Sequence, residues 1–209
     1  MTTLTRTTSW TDRLPLTRRA LLAGTAAALA LPRAAAAMTQ AEARDLVGQV
    51  MADLDRIISG GGGEAQLFRE FEALFARFGD VPVIAQSVLG PAARGASAAQ
   101  LAAFTDAFRG HMARKYGRQF RRMSGARLEV LSARAVQRIW EVASTMTLRG
   151  EGPFEVRWHV SDRSGQGRFF NMIINGVNVL AAERQEIGAL LEQRRGDIDA
   201  LTRDLRNLG

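Results

Sequence analysis

The heptapeptide Phe154-Glu-Val-Arg-Trp-His-Val160 decides the fold class. Phe154, Val156, Trp158 and Val160 alternate with Glu155, Arg157 and His159. That period of two belongs to a β-strand covered on one side, because successive side chains leave opposite faces. Gly150-Glu-Gly-Pro153 reads as a hairpin loop, reaching back to a segment that takes up the same period from about Leu128. There Val136, Trp140, Val142, Met146 and Leu148 share a face, with Arg138 and Ser144 as exceptions. On the other side, Ser164-Gly-Gln-Gly167 is the next turn and residues 168–175 are a further strand. Strands joined in order by such short turns pair antiparallel, with one face left for a cover.

The cover is helical and lies on both sides of the strands in sequence. Thr39 and Glu42 form a capping box ahead of Leu46, Val47, Val50, Met51, Leu54, Ile57 and Ile58 at helical spacing. Gly60 to Gly63 break that pattern. A second amphipathic segment then carries Leu67, Phe68, Phe71, Leu74, Phe75 and Phe78. Asp80 is placed to cap a short helix with Pro82 in its first turn, bearing Ile84, Val88 and Leu89. Ser97 and Gln100 make another capping box, opening a long helix through Leu101, Phe104, Phe108, Met112 and Tyr116 towards Phe120. After the strands, a helix runs from about Ala182 to Arg195, and Asp197 caps a last one carrying Leu201 and Leu205. The class is α+β: a curved antiparallel sheet of about four strands beneath N-terminal and C-terminal helices.

The chain has 209 residues, no cysteine, a formal charge of +7 and a pI near 11.3. Residues 1–37 account for much of that charge. Arg6, Arg13, Arg18 and Arg19 precede the apolar stretch Ala20 to Leu31, and small residues from Ala34 to Ala37 follow. That order reads as an export signal, with cleavage before Ala37 or Met38. Thr17-Arg-Arg-Ala-Leu-Leu22 further resembles a twin-arginine signal, a Sec signal being the alternative. The apolar stretch is too short to span a bilayer, which needs about 20 residues. The expected mature domain, residues 38–209, holds 23 basic and 20 acidic residues, a net +3. A soluble mature protein is expected.

Catalytic signatures are sparse. His111 and His159 are the only histidines, neither lies in a run with metal-ligand spacing, and both are read as surface residues. There is no nucleophile elbow and no Walker loop. Gly60-Gly-Gly-Gly-Glu-Ala65 fits a dinucleotide fingerprint, but it follows a helix rather than a strand and is read as a linker. No enzyme activity, metal or cofactor is expected.

Two features rise above that background. Nine basic residues between Arg109 and Arg138 face only Glu129, a local +8. That block is either a solvated face or an anion-facing patch. Nucleic acid is disfavoured, since the block lacks interleaved surface aromatics. The second feature is surplus ring-bearing apolar surface: Trp140, Trp158, Phe154, Phe169 or Phe170, Phe104 and Phe108. Periodicity leaves open whether it closes on itself or around a ligand.

Asp80-Val-Pro-Val-Ile-Ala-Gln-Ser-Val-Leu-Gly90, followed by Ala98-Ala-Gln-Leu-Ala-Ala-Phe-Thr-Asp-Ala-Phe-Arg109, resembles the MlaC or toluene-tolerance family. Its pattern there is an Ile-Ala-x-x-Val-Leu-Gly helix end and a Gln-x-x-x-Phe-x-x-x-Phe helix. Gly152-Pro-Phe-Glu-Val-Arg-Trp-His-Val160, Phe170-Asn-Met-Ile-Ile-Asn-Gly-Val-Asn-Val-Leu180 and Ile198-Asp-Ala-Leu-Thr-Arg-Asp-Leu-Arg206 resemble its later segments. Trp158 stands where a Tyr is usual, Asn175 where an acid is usual and Asn178 where a small hydroxyl is common.

The resemblance implies an NTF2-like fold enclosing an apolar cavity, and a monomeric periplasmic carrier with phospholipid as cargo. It implies two partners: an inner-membrane ABC transporter with its MCE subunit, and an outer-membrane lipoprotein–porin complex, between which lipid is moved to maintain outer-membrane asymmetry. The expected cavity lining is Ile84, Val88, Phe104, Phe108, Trp140, Val142, Met146, Val156, Trp158, Met172, Ile174 and Val177. Arg114, Arg118, Arg121 and Arg122 are the expected docking residues. The alternatives are an NTF2-like enzyme, which needs a titratable group facing the cavity, or a binder of a sterol-like or hopanoid molecule.

Overall fold

In the computed structural model, residues 37–120 and 123–208 are described. The expected export signal up to Ala36, together with Arg121 and Arg122, lies outside them. Three helices open the chain: α1 (Gln40–Ser59), α2 (Glu64–Phe78) and α3 (Val81–Leu89), the last extended by a 3₁₀ turn over Gly90–Arg94. The long helix α4 (Ala98–Phe120) leads into strands β1 (Arg127–Val136), β2 (Ile139–Thr147), β3 (Phe154–Ser161), β4 (Arg168–Ile174) and β5 (Val177–Asn178). Helices α5 (Val179–Gln193) and α6 (Ile198–Leu205) close the domain. The strands are antiparallel and lie in sequence order.

Local chemistry sets most boundaries. Thr39 Oγ1 accepts from the Glu42 amide while the Glu42 carboxylate accepts from the Thr39 amide at 2.7 Å, the reciprocal pattern of a capping box. Ser97 and Gln100 repeat it on α4. Asp197 caps α6 by accepting from the Ala200 amide. Asp80 departs from expectation: its side chain makes no cap bond. Its backbone amide instead donates to Phe169 O at 2.8 Å, tying the start of α3 to β4.

Sequence periodicity runs β1 and β2 together, whereas the chain reverses between them. Gln137 takes a left-handed φ of 56°, and Arg138 lies in that turn. Arg138 breaks the apolar pattern because it is at a reversal. A second reversal, Asn175-Gly176, has φ of 48° and 82°. Asn and Gly are the residues that tolerate consecutive left-handed positions, and they make the tight hairpin that adds β5. Asn178 accepts from the Ala181 amide and starts α5 a turn earlier than expected. Both departures from the family pattern thus have local structural uses.

Helices α1, α2 and α4 lie over one sheet face, and the core runs between the layers. Along the outer strand β1, α1 supplies side chains to the backbone. Gln40 donates to Ala133 O at 2.7 Å, and Arg44 donates to Val130 O at 3.0 Å and to Leu131 O at 3.4 Å. Leu131 sits at a bulge between Val130 and Ser132. No described helix is long and apolar enough to cross a membrane.

Candidate functional site

Between the helical layer and the sheet lies a cavity of about 210 Å³. α1 contributes Val50, Met51 and Leu54; α2 contributes Phe71, Leu74 and Phe75; α4 contributes Met112, Tyr116 and Gln119. The sheet side is Met146 on β2, Phe154, Val156 and Trp158 on β3, and Phe169, Met172 and Ile174 on β4, with Met123 and Val179 beside them. Tyr116 and Gln119, together with the Trp158 indole N–H, are the hydrogen-bonding groups on these side chains.

Burial divides the lining. Phe71, Leu74, Phe75, Val156, Trp158 and Phe169 are buried and form the deep end. Trp158 and Phe169 meet edge to face, with centroids 5.7 Å apart at 80°, and Phe75 packs on Phe169 at 6.2 Å. Tyr116, Met123, Phe154, Met172, Ile174 and Val179 are half-buried, and Gln119 is exposed. The mouth therefore opens at the C-terminal turns of α4, beside the start of β3 and the end of β4.

Ser144, an exception to the apolar pattern of its strand, supports the deep wall through Val156 and Trp158. It is fully buried, donates to Val156 O at 2.9 Å and accepts from the Trp158 indole N–H at 3.1 Å. Satisfying that N–H within the sheet lets Trp158 present a ring without an unpaired donor.

Of the twelve residues expected at the cavity, Met146, Val156, Trp158, Met172 and Ile174 line it. Ile84, Val88, Phe104, Phe108 and Val142 are buried in the core away from it. Distance along α4 explains Phe104. Phe104 and Tyr116 are twelve residues apart, about 18 Å along the axis at 1.5 Å per residue. α4 also packs against α3 and α6. Trp140 is half-buried, and its Nε1 donates to Met38 O at 2.9 Å. Val177 is 60% exposed on β5, a correction caused by the hairpin at Asn175-Gly176. Periodicity marks the α1 and α2 faces as apolar, and no periodic signal separates a core face from a cavity wall.

The basic block is also changed by folding. Arg114 donates from Nε to Leu208 O at 3.1 Å and from Nη2 to Leu205 O, closing the C-terminal end of α6. Arg118 is exposed, lies 3.4 Å from Glu64 and has its guanidinium 5.7 Å from the Phe68 ring centroid. Arg109 pairs with Glu72 and Asp106, and Arg134 with Glu141. Arg134 holds the Glu141 carboxyl below the usual carboxylate range. Acids from α2, α4 itself and β2 thus offset much of the +8 seen along the sequence.

His111 overturns its surface assignment. It is 4% exposed, and its Nδ1 lies 3.1 Å from Leu208 O. Burial pushes its pKa below the ordinary histidine range. Nearby, Lys115 Nζ bonds Glu183 Oε1 at 2.7 Å and Glu186 Oε2 at 2.6 Å. Tyr116 donates to Glu183 Oε1 as well, and burial with that carboxylate raises the phenol pKa. His159 is half-buried, 3.5 Å from Glu141.

Residues 44–207 match the family described as MlaC protein. No curated protein gives a significant match. Among solved structures, the chain is similar to a phospholipid-binding protein from Ralstonia solanacearum, solved in complex with a phospholipid. The TM-score is 0.68 at 17% identity, covering 79% of this chain and 95% of that one.

Proposed function

Because the chain belongs to the MlaC protein family, we propose that it is a lipid carrier whose cavity encloses phospholipid acyl chains. The observation that carries this reading is the cavity, walled by apolar side chains from both layers and opening at one end. A phospholipid with about 30 acyl CH₂ groups gains on the order of 20 kcal/mol when its chains leave water, at about 0.8 kcal/mol each. Shape-tolerant enclosure is therefore sufficient for binding, and no catalytic residue or cofactor is required. The head group stays at the mouth, near Tyr116 and Gln119.

The cavity is smaller than the roughly 300–1,000 Å³ typical of pockets for drug-sized ligands. Loading a two-chain lipid therefore requires the wall to yield. Five of the seven methionines line it: Met51, Met112, Met123, Met146 and Met172. Methionine is unbranched and polarizable, so it fills space in the free state and repacks around a chain of variable length. Native mass spectrometry of the purified protein is expected to reveal bound phospholipid. Protein that emerges lipid-free and takes up no labelled phospholipid overturns the reading, and a bound sterol-like or hopanoid mass replaces the cargo.

The export signal of residues 1–37 and family membership support a periplasmic route between an outer-membrane lipoprotein–porin complex and an inner-membrane ABC transporter with its MCE subunit. Such transport maintains outer-membrane asymmetry. Arg118, Arg121 and Arg122 are the proposed docking cations for an acidic partner surface, whereas Arg114 is held by the C-terminus of α6. Reversing all three to Glu is expected to weaken docking to the transporter assembly and flatten its salt dependence, with bound lipid unchanged. Binding assays over a salt series check this, and unaltered docking rejects it.

A further inference from the structure

We infer that His111, Glu183 and Glu186 form a binding site for a divalent transition-metal ion, with zinc the best fit, on the side of the fold where α4 meets α5. A ring nitrogen of His111 and one oxygen from each carboxylate all lie within 4.8 Å of one another. Glu183 and Glu186 are three apart on α5 and share a face, and His111 meets them from α4.

The hydrogen bonds around the cluster indicate which atoms face inward. A carbonyl oxygen only accepts, so the contact with Leu208 O makes His111 Nδ1 the protonated nitrogen. In the neutral ring, Nε2 then carries the lone pair. Among the described residues, His111 Nε2 and Glu183 Oε2 are both buried without a hydrogen-bond partner. Their residues are 4% and 2% exposed. Two buried electron-pair donors cannot satisfy each other, and a shared cation resolves both.

The surroundings match what metal ligands require. A ligating histidine ordinarily donates its other N–H to a carbonyl or carboxylate, which fixes the tautomer, and ligating carboxylates are themselves held by hydrogen bonds. Leu208 O performs the first task. Lys115 and Tyr116 perform the second by holding Glu183 Oε1, with Lys115 also holding Glu186 Oε2. Lys115 offsets one of the two carboxylate charges, so the cluster with neutral His111 retains a net negative charge. Glu186, with its side chain 46% exposed, provides the route in. One imidazole and two carboxylates form a nitrogen–oxygen donor set that zinc accepts, leaving a fourth position for water.

The cluster touches the cavity wall through Tyr116, which bonds Glu183, but the metal inference does not depend on the carrier reading. Chelator-treated protein titrated with Zn²⁺ in a calorimeter is expected to show one saturable site. Co²⁺ should give the visible absorption of a low-coordinate ion. Glu186→Gln, at a half-exposed side chain, should weaken Zn²⁺ binding by at least about 10-fold, the low end of what losing even a supporting contact costs a metal site. His111→Asn should abolish it; if that variant does not fold, Glu186→Gln decides. Absence of saturable binding, or equal affinity in wild type and Glu186→Gln, overturns the inference. So does nitrogen NMR of the chelated protein showing His111 doubly protonated at neutral pH, because the ring would then have no lone pair to offer a metal.

Discussion

Met172→Glu protein is expected to fold normally yet to purify without phospholipid. Met172 is half-buried in the cavity wall on β4, paired across the sheet with Trp158. In the lipid-free state a carboxylate introduced there reaches water at the mouth. Acyl chains closing over it leave two outcomes. Burying the ionised group alone costs far more than taking up a proton. Protonation at pH 7 costs about 2.7 pKa units from an ordinary glutamate value near 4.3, or about 3.7 kcal/mol at 1.36 kcal/mol per unit. The cheaper route sets the penalty, so affinity falls by about 500-fold. The sign of the pH dependence follows. The loaded state tolerates only the protonated acid, so uptake by the variant recovers as pH falls towards 4 and that of the wild type does not. Labelled-lipid uptake at pH 7 and pH 5, with circular dichroism for folding, measures both. A folded variant that retains lipid at pH 7 removes this cavity as the binding site.

Phe104→Ala is expected to act in the opposite way, destabilising the fold and sparing lipid uptake. Phe104 is fully buried and stacks on Phe108, with centroids 5.9 Å apart and planes at 19°. Truncating a buried phenylalanine costs about 3–5 kcal/mol, from lost transfer energy and the hole left behind. Against a typical net stability of about 5–15 kcal/mol, that is a large share. Urea unfolding should show a lower midpoint with an unchanged slope, and lipid uptake measured below the transition should match the wild type. A wild-type midpoint, or selective loss of uptake, would return Phe104 to the cavity wall.

Phe104 and Met172 differ in a way that residue periodicity does not encode. Capping boxes at Thr39 and Ser97 fixed helix starts because they are local, reciprocal hydrogen bonds written in four residues. Alternation in β3 fixed the sheet because side-chain direction follows strand period. Strand length was less legible: Gln137 is not a turn-forming type, so the reversal between β1 and β2 was hidden inside a continuous period of two. Cavity membership was half legible. Periodicity reports that a side chain points inward, and both Phe104 and Met112 do. Only the position along α4 decides which is packed in the core and which lines the cavity. Similarly, His111 stands in a basic run and reads as surface, yet the C-terminal residues that cover it lie almost a hundred positions away.

The hydrogen bonds from α1 to β1 have one more consequence. An outer strand presents unpaired carbonyls that invite another chain to add on, which is how many sheet proteins polymerise. Gln40 and Arg44 fill the carbonyls of Val130, Leu131 and Ala133 with side-chain donors. The bulge at Leu131 distorts the same stretch. On the proposed carrier reading, each opening of the interior to admit lipid exposes the sheet to aggregation. Here the first helix acts as a built-in edge guard, keeping the sheet from recruiting a neighbour whenever the layers loosen.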